Sequence, residues 1–183
     1  MKKNIFYIIL MLFLIVSMVA CSKAPKDNNP DTNPNSNEDE VQDITETEKN
    51  VTIYYSDADA TNLVKKNITI KPQDNTLEEE IIGKLKEQPS DENLFAVIPS
   101  NVSILSVRTE NNITYVDVSS EDLYGGSTQE RFMIDGIVMS LTELENIEKV
   151  QFLIDGNKAE TLMGHYTIEE PFTRDDIATP IIE

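Results

Sequence analysis

The sequence predicts an α+β fold: a small mixed sheet with two helices packed on one face, in the order β-α-β-β-α-β. Three observations support this prediction. Several segments alternate apolar and polar residues with the period of a strand. Two longer segments carry apolar residues at helical spacing, each behind a capping sequence. An Asn-Asn pair joins two strand segments, as in a tight hairpin, and a sheet covered on one face needs such alternating strands.

The chain of elements begins with two strand segments. A strand is predicted over residues 51–55, where every second residue is aliphatic or aromatic and faces the core. Residues 56–59 are rich in Ser and Asp and predict a turn. A second extended stretch covers residues 63–71, and Pro72 ends it.

The first helix is predicted to start after Thr76. The Thr76 hydroxyl can cap the free amides, and Glu79 completes a capping box three residues later. Gly83 weakens the helix and Pro89 lies beyond its end. One apolar face is formed by Leu77, Ile81, Ile82 and Leu85.

A long connection over residues 90–101 follows this helix and ends near Pro99. Its apolar side chains are expected to tuck under the sheet: Leu94, Phe95, Val97 and Ile98.

A hairpin comes next, with strands over residues 103–110 and 113–119. Asn111-Asn112 joins them, and Asn tolerates the positive φ that a two-residue type I′ turn requires. In the second strand, Val116 and Val118 are predicted to face the core.

The second helix is predicted to be the longest. Ser127 is the expected cap, Glu130 the partner in a second capping box, and Asn146 the stop. The apolar stripe consists of Ile134, Ile137, Val138, Leu141 and Leu144.

The remaining residues predict a strand over 149–154 and a turn over 155–157. An extended piece is expected over 161–168, and residues 175–183 are predicted to be a loose tail.

Composition restricts the function. The 183 residues include 33 acidic and 15 basic side chains, a net charge of −18, which becomes −20 without Lys2 and Lys3. So negative a chain is a poor partner for nucleic acid, because binding phosphates relies on Lys and Arg. The charge instead favours cationic partners.

The N-terminal residues have the layout of a secretory signal peptide: Lys2 and Lys3, an apolar run over residues 5–16, and Ala20. Met18 to Cys21 resemble the lipobox of bacterial lipoproteins. This resemblance implies that residues 1–20 are removed and that Cys21 carries a diacylglyceryl group, whose two acyl chains suffice for stable anchoring. The alternative is a spanning helix, for which the apolar run is near the lower length limit.

Residues 21–49 are predicted to be a disordered acidic tether. They are rich in Asn, Asp, Glu and Pro, and only Val41 and Ile44 are aliphatic side chains larger than Ala. Such a segment buries too little apolar area to offset the entropy of ordering. It would lift a folded domain over residues 50–174 off the membrane surface.

Several short motifs follow one another in an order and spacing that resemble the GerMN domain of the sporulation and spore germination family. They cover about Asn50 to Arg174 and consist of Val51 to Asp57, Val97 to Val102, Tyr115 to Ser119, Ser127 onward through Ile137 to Thr142, and Val150 to Gly156. The resemblance implies a fold similar to the ring-building modules of secretion and sporulation assemblies. It also implies a non-enzymatic, extracytoplasmic interaction domain, present here once and not in tandem.

No catalytic constellation is predicted. His165 is the only histidine, no G-x-S-x-G elbow precedes it, and lipidation would occupy Cys21, the only cysteine. His165 is expected at a strand end, on the surface or half-buried. We therefore predict no catalytic, cofactor-binding or metal-binding residues and no cofactor.

Some weaker candidates for binding sites also remain, and structural roles are the alternative. Residues 125–127, two glycines and Ser127, could expose amides to an anion, or form a flexible helix entrance. Asp57 and Asp59 could ligate calcium, although they lack the spacing of an EF-hand loop. The tyrosines that could lie exposed and anchor a partner, or else pack in the core, are Tyr54, Tyr115 and Tyr124.

The sequence thus predicts a lipoprotein on the extracytoplasmic face of the cell membrane that acts as a non-catalytic interaction module. Its predicted partners are envelope proteins or a second copy, bound through a sheet edge or helix face, and the membrane through the lipid on Cys21. The alternative is a lipoprotein that binds a small ligand or the cell wall, which predicts a concave pocket lined by aromatics.

Overall fold

The structure is a computed structural model that describes residues 48–72 and 74–183. The predicted signal peptide, Cys21 and the tether up to residue 47 lie outside the described residues. Within them, no helix is both long and apolar enough to cross a membrane.

Two sheets and two helices make up the described fold. Sheet A has the strand order β3-β1-β2-β7, where β1 is Lys49–Asp57, β2 is Leu63–Ile70, β3 is Leu94–Phe95 and β7 is Ile181–Ile182. Sheet B has the order β4-β5-β6, where β4 is Ile104–Glu110, β5 is Ile113–Val118 and β6 is Lys149–Ile154. Both helices contact β1 of sheet A, the first helix also contacts β4, and the second also contacts β6. The predicted α+β class is confirmed, with the difference that the strands form two mixed sheets where one was expected.

Sheet A is built on β1 (Lys49–Asp57) and β2 (Leu63–Ile70), an antiparallel pair in which Val51 lies opposite Ile68. Both strands were predicted, and β1 begins at Lys49, inside the predicted tether. Every residue from Ile53 to Ser56 is buried, so β1 is covered on both faces.

Tyr54 therefore does not lie exposed, as one interpretation of the sequence allowed. Its backbone N–H donates to Ser140 Oγ at 3.0 Å, and its hydroxyl donates to Glu143 at 2.6 Å. Arg174 also donates to the Tyr54 hydroxyl, at 3.3 Å. The second helix packs on β1 at this point, which the alternation within β1 does not reveal.

The first helix, α1 (Leu77–Lys86), begins as predicted. The Glu79 N–H donates to Thr76 Oγ1 at 3.2 Å, and the Thr76 N–H donates to the Glu79 carboxylate at 2.8 Å. This capping box satisfies two of the amides that a helix start leaves free. Ile81, Ile82 and Leu85 are buried.

The connection after α1 contains a short strand, β3 (Leu94–Phe95), antiparallel to β1. Leu94, Val97 and Ile98 are buried, as predicted. Phe95 is not: 44% of it is exposed, because adjacent residues of an extended strand point to opposite sides.

Sheet B consists of the predicted hairpin and a third strand. The hairpin is formed by β4 (Ile104–Glu110) and β5 (Ile113–Val118), and β6 (Lys149–Ile154) is parallel to β5. Asn111 and Asn112 have φ of 52° and 62°, the left-handed values that the type I′ turn demands. Val116 and Val118 are fully buried, which confirms the predicted core face.

The second helix, α2 (Ser127–Leu141), differs from the prediction at both ends. Its N-cap is Gly126, with no side-chain cap, so the second capping box does not exist. The helix ends at Leu141 and not near Asn146. Thr142 follows it, and its hydroxyl bonds to the Val138 carbonyl at 2.6 Å while the chain turns away.

The C-terminal region also departs from the prediction. Residues 161–168 form no strand, and only an isolated bridge joins Thr161 and Thr167. Residues 175–183 are held and not loose. A 3-10 turn spans Arg174–Asp176, and β7 (Ile181–Ile182) pairs in parallel with the start of β2.

Buried polar contacts explain why this tail is held. Asp135 of α2 is 3% exposed and accepts hydrogen bonds from the N–H and hydroxyl of Thr179. Arg174 donates to the Met139 carbonyl at 3.1 Å and to Glu143 at 2.9 Å. Polar partners this distant along the chain cannot be recognised from local composition.

Candidate interaction surface

A cleft beside Phe95 is a concave site with a volume of about 370 Å³. We call it the Phe95 cleft. It is bounded by the β1–β2 turn, by β3 with the residues after it, and by the start of α2. Its lining comprises Ser56, Asp57, Ala58, Ala60, Phe95, Ala96, Val97, Pro99, Thr128, Gln129 and Phe132.

The β1–β2 turn forms the first wall, and Asp57 holds it. The Asp57 carboxylate accepts from the N–H and hydroxyl of Thr61, at 2.7 and 2.9 Å. It also accepts from the N–H and side-chain amide of Asn62, at 3.1 and 2.7 Å. These bonds fix a turn in which Ala60 has a φ of 50°, unusual for a residue with a side chain.

The same contacts control the ionisation of Asp57. Desolvation alone would raise its pKa, but the donors of Asn62 and Thr61 outweigh it and lower the pKa to about 2. Both oxygens are thus engaged within the turn and not directed at a cation. Asp59, its proposed companion for calcium, is exposed.

The second wall is β3. Phe95 lies opposite Ser56 in the sheet, which places its ring at the mouth of the cleft. The Gln88 side chain donates to the Leu94 carbonyl at 2.8 Å, and the Leu94 N–H donates to the Asp91 carbonyl at 3.0 Å. These two hydrogen bonds fix the backbone of β3, and the Phe95 side chain faces solvent.

The third wall is the first part of α2, which lies close to Val97. A Cβ added at Gly136 would stand 2.7 Å from Val97 Cγ2, closer than real atoms approach. A glycine at this helix position allows the contact. Phe132, one turn earlier, supplies the aromatic surface that α2 presents to the cleft.

The arrangement suits an apolar side chain from outside. Seven of the eleven lining residues are Ala, Val, Pro or Phe, and the polar ones are Ser56, Asp57, Thr128 and Gln129. An exposed aromatic residue beside a concave apolar surface is the kind of anchor that dominates protein interfaces. The Ser56 hydroxyl in the lining donates to the Asp57 main-chain carbonyl at 3.0 Å and not to its carboxylate.

His165, the only histidine, lies elsewhere. Its ring Nδ1 is 2.8 Å from the carboxylate of Glu130, and its side chain is 38% exposed, in line with the predicted surface position. Glu130 itself is fully buried. Among the described residues, no hydroxyl bonds to the imidazole, so the geometry does not assemble a Ser-His-Asp triad.

The other residues that the sequence suggested for binding do not form a common site. Tyr124 is 66% exposed, and Tyr115 is half-buried with the Arg108 guanidinium 4.2 Å above its ring. Of residues 125–127, Gly126 is the N-cap of α2. Within the described part of the chain, no group of three or more His, Cys, Asp or Glu side chains could hold a metal ion.

Sequence reasoning missed Phe95 as a surface residue. The available signal was the pair Leu94-Phe95 within an extended segment, where only one of two neighbours can face the core. It was outweighed by the general tendency of phenylalanine to be buried.

Comparison with known proteins gives a consistent result. A model of the family Germane, described as sporulation and spore germination, matches residues 52–160. The first GerMN domain of the sporulation protein GerM from Bacillus subtilis matches with a TM-score of 0.61 at 18% identity, over 70% of this chain and 99% of that one. The comparison with curated proteins found no match.

Two further structures are similar. The tandem GerMN domains of the same GerM protein match with a TM-score of 0.61 at 17% identity, over 70% of this chain and 47% of that one. This chain therefore spans about half of the tandem protein. A candidate lipoprotein from Clostridium perfringens matches with a TM-score of 0.51 at 25% identity, over 71% of this chain and 90% of that one.

Proposed function

Because the chain belongs to the Germane family of sporulation and spore germination proteins, we propose that it is a lipid-anchored, non-catalytic interaction module on the extracytoplasmic face of the cell membrane. The role would lie in sporulation or germination, or in assembly of the cell envelope. The single observation that carries the interaction role is the Phe95 cleft, an apolar depression with an exposed aromatic ring at its mouth.

The anchor rests on the sequence around Cys21 and on the similarity to a candidate lipoprotein. A diacylglyceryl thioether on Cys21 would hold the protein at the membrane through two acyl chains. The acidic tether would then carry the domain away from an anionic surface that repels it.

Fractionation of cells that express Cys21→Ala tests the anchor. We expect wild-type protein in the membrane fraction, labelled by a palmitate analogue, and the variant as an unlabelled, unprocessed precursor. Ser22→Ala is the matched control and should behave as wild type. Labelling of the Cys21→Ala variant would contradict the anchor.

The cleft argues for a partner that offers an aliphatic or aromatic side chain. Apolar contact inside a concave site is where interfaces concentrate their binding energy. The net charge of −18 favours a partner whose surrounding surface is basic. An envelope protein with an apolar anchor residue inside a basic patch meets both conditions.

Crosslinking and purification from intact cells test this role. We expect Phe95→Ser to lose a partner that wild type retains, since Phe95 is exposed and its removal leaves the core intact. Tyr124→Ser removes another exposed aromatic outside the cleft and should keep the partner. If the Tyr124 variant alone lost it, the interaction surface would be elsewhere.

One observation favours a second candidate, a lipoprotein that binds a small ligand or the cell wall. The cleft volume of about 370 Å³ falls within the range of small-molecule sites, and two phenylalanines line it. Equilibrium dialysis with peptidoglycan fragments separates the two. Saturable binding that Phe95→Ser abolishes, without any crosslinked protein, would favour the ligand-binding function.

A further inference from the structure

The strand β4 forms an open edge of sheet B. It pairs with β5 on one side, and no other strand of the described chain pairs with it. The opposite edge of this sheet is different, because Val150 of β6 exchanges two backbone hydrogen bonds with Phe172, at 2.9 and 2.8 Å. Every second residue of β4 thus directs its N–H and C=O outward without a strand to receive them.

A groove runs between this edge and α1. Its volume is about 280 Å³, and Ile82, Ile104 and Val107 supply its apolar surface. Leu105 stands at its rim, 54% exposed, at a register shift in β4. An extended segment paired with β4 would direct alternate side chains towards α1 and into this groove.

Gly83 of α1 borders open space in the groove. It lies inside α1, where glycine is less stable than alanine, and it lines the groove. A Cβ built at Gly83 would meet nothing within 4 Å, so packing inside the domain does not require a glycine there. The contrast is Gly136 of α2, where Val97 leaves no room for a side chain. The space above Gly83 is therefore available to something outside the domain.

The charges beside the groove favour a basic partner segment over a second copy of this chain as its occupant. The first turn of α1, beside the groove, is acidic with Glu78, Glu79 and Glu80, and Glu78 accepts from Thr109 of β4 at 3.1 Å. At the other end of the groove, the Lys86 ammonium donates to the Val102 carbonyl at 2.6 Å. A second copy would bring the same acidic turn and another net charge of −18, whereas a basic segment would be attracted.

We propose that the β4 edge and the groove beside Gly83 bind an extended, basic segment of a partner protein by strand addition. The partner's backbone would pair with β4, one of its aliphatic side chains would fill the groove, and its Lys or Arg side chains would approach the acidic turn. This surface is separate from the Phe95 cleft, since the two share no lining residue.

The probe is a synthetic peptide of about seven residues, the length of β4, in which lysine alternates with valine and leucine. Its matched control has the same sequence with alternate backbone amides methylated, which keeps the charge and removes the strand hydrogen bonds. Binding to the mature protein in detergent is measured by anisotropy. Hydrogen exchange is followed over residues 104–110.

We expect the unmodified peptide to bind, to slow exchange over residues 104–110, and to bind about tenfold more tightly than the methylated one. Gly83→Leu should weaken binding about tenfold by filling the groove, whereas Tyr124→Ser, at an exposed residue outside the groove, should leave it unchanged. Should Gly83→Leu fail to fold, Leu105→Glu replaces it, with the same loss expected. Phe95→Ser should bind the peptide as wild type does. This result would therefore stand even if the Phe95 cleft were found to bind no partner.

Three outcomes would overturn the proposal. Equal binding of both peptides would mean that charge alone holds them. Protection outside residues 104–110 would place the site elsewhere. Protection of these residues by increasing protein concentration, without peptide, would identify a second copy as the occupant.

Discussion

The carboxylate of Glu130 accepts a hydrogen bond from the backbone N–H of His165 at 2.9 Å and so ties α2 to the segment after β6. Its second oxygen accepts from the N–H groups of Leu162 and Met163, at 3.1 and 2.8 Å. A fully buried carboxylate thus holds three backbone donors of a segment without regular structure. Glu130 organises this segment, although the sequence suggested a local capping role.

Glu130→Gln is expected to destabilise the protein by about 3 kcal/mol, because an amide group would face donors that need an acceptor. Urea unfolding measures the loss, and hydrogen exchange should speed up at residues 162–165. His165→Gln is the control, and it should cost less than about 1 kcal/mol, since the exposed ring contributes one bond and the backbone donors remain. Equal losses for the two variants would contradict this account.

The two helical glycines should respond in opposite directions to alanine. Gly136→Ala should destabilise the domain by about 2 kcal/mol, because the new methyl group collides with Val97. Gly83→Ala should stabilise it by about 0.5 to 1 kcal/mol, since the position is helical and open. Thermal unfolding of both variants measures the signs. A stabilising Gly136→Ala would mean that α2 and Val97 are not in close contact.

Asp135 should make stability depend on pH. Burial raises the pKa of Asp135 above its usual 3.8, against the opposing influence of Thr179 and Arg131. Between 3.8 and the raised pKa, the folded state keeps a proton that the unfolded state has lost, so this contribution to stability falls as pH rises. Asp135→Asn does not titrate. The stability of this variant relative to wild type should therefore increase from about pH 3 to about pH 7 in urea titrations. A decrease would contradict a raised pKa of Asp135.

Asp57 should have the opposite dependence. Its pKa is lowered to about 2, so its contribution is fully present above 3.8 and is lost as pH falls through about 2. Asp57→Asn should cost about 1 kcal/mol near neutral pH, a modest value because the site is solvated. The difference from wild type should close near pH 2. A difference independent of pH would show that the carboxylate charge is not what holds the turn.

The parts of the fold that follow from local sequence were predicted well. The α1 capping box, the Asn111-Asn112 turn and the limits of β6 are encoded by residues only a few positions apart. The predicted resemblance to the GerMN domain is confirmed by the family match over residues 52–160.

Two of the errors involve long-range contacts. Glu130 resembles a capping residue, yet its partners lie about thirty positions away. The tail after Arg174 is polar and short, and it is held by Asp135, on α2. Tyr54, for which the sequence left exposure and core packing open, is buried because α2 packs on β1. Periodicity within one segment contains no information about such partners.

The central proposal is that the Phe95 cleft is where this domain meets another envelope protein. The most direct measurement places a photoreactive phenylalanine analogue at Phe95 or, as a control, at Tyr124, and irradiates intact cells. We predict one discrete crosslinked protein for position 95, retained in the membrane fraction, and none for position 124. Equal crosslinking at both positions, or a discrete product from position 124 alone, would contradict the claim.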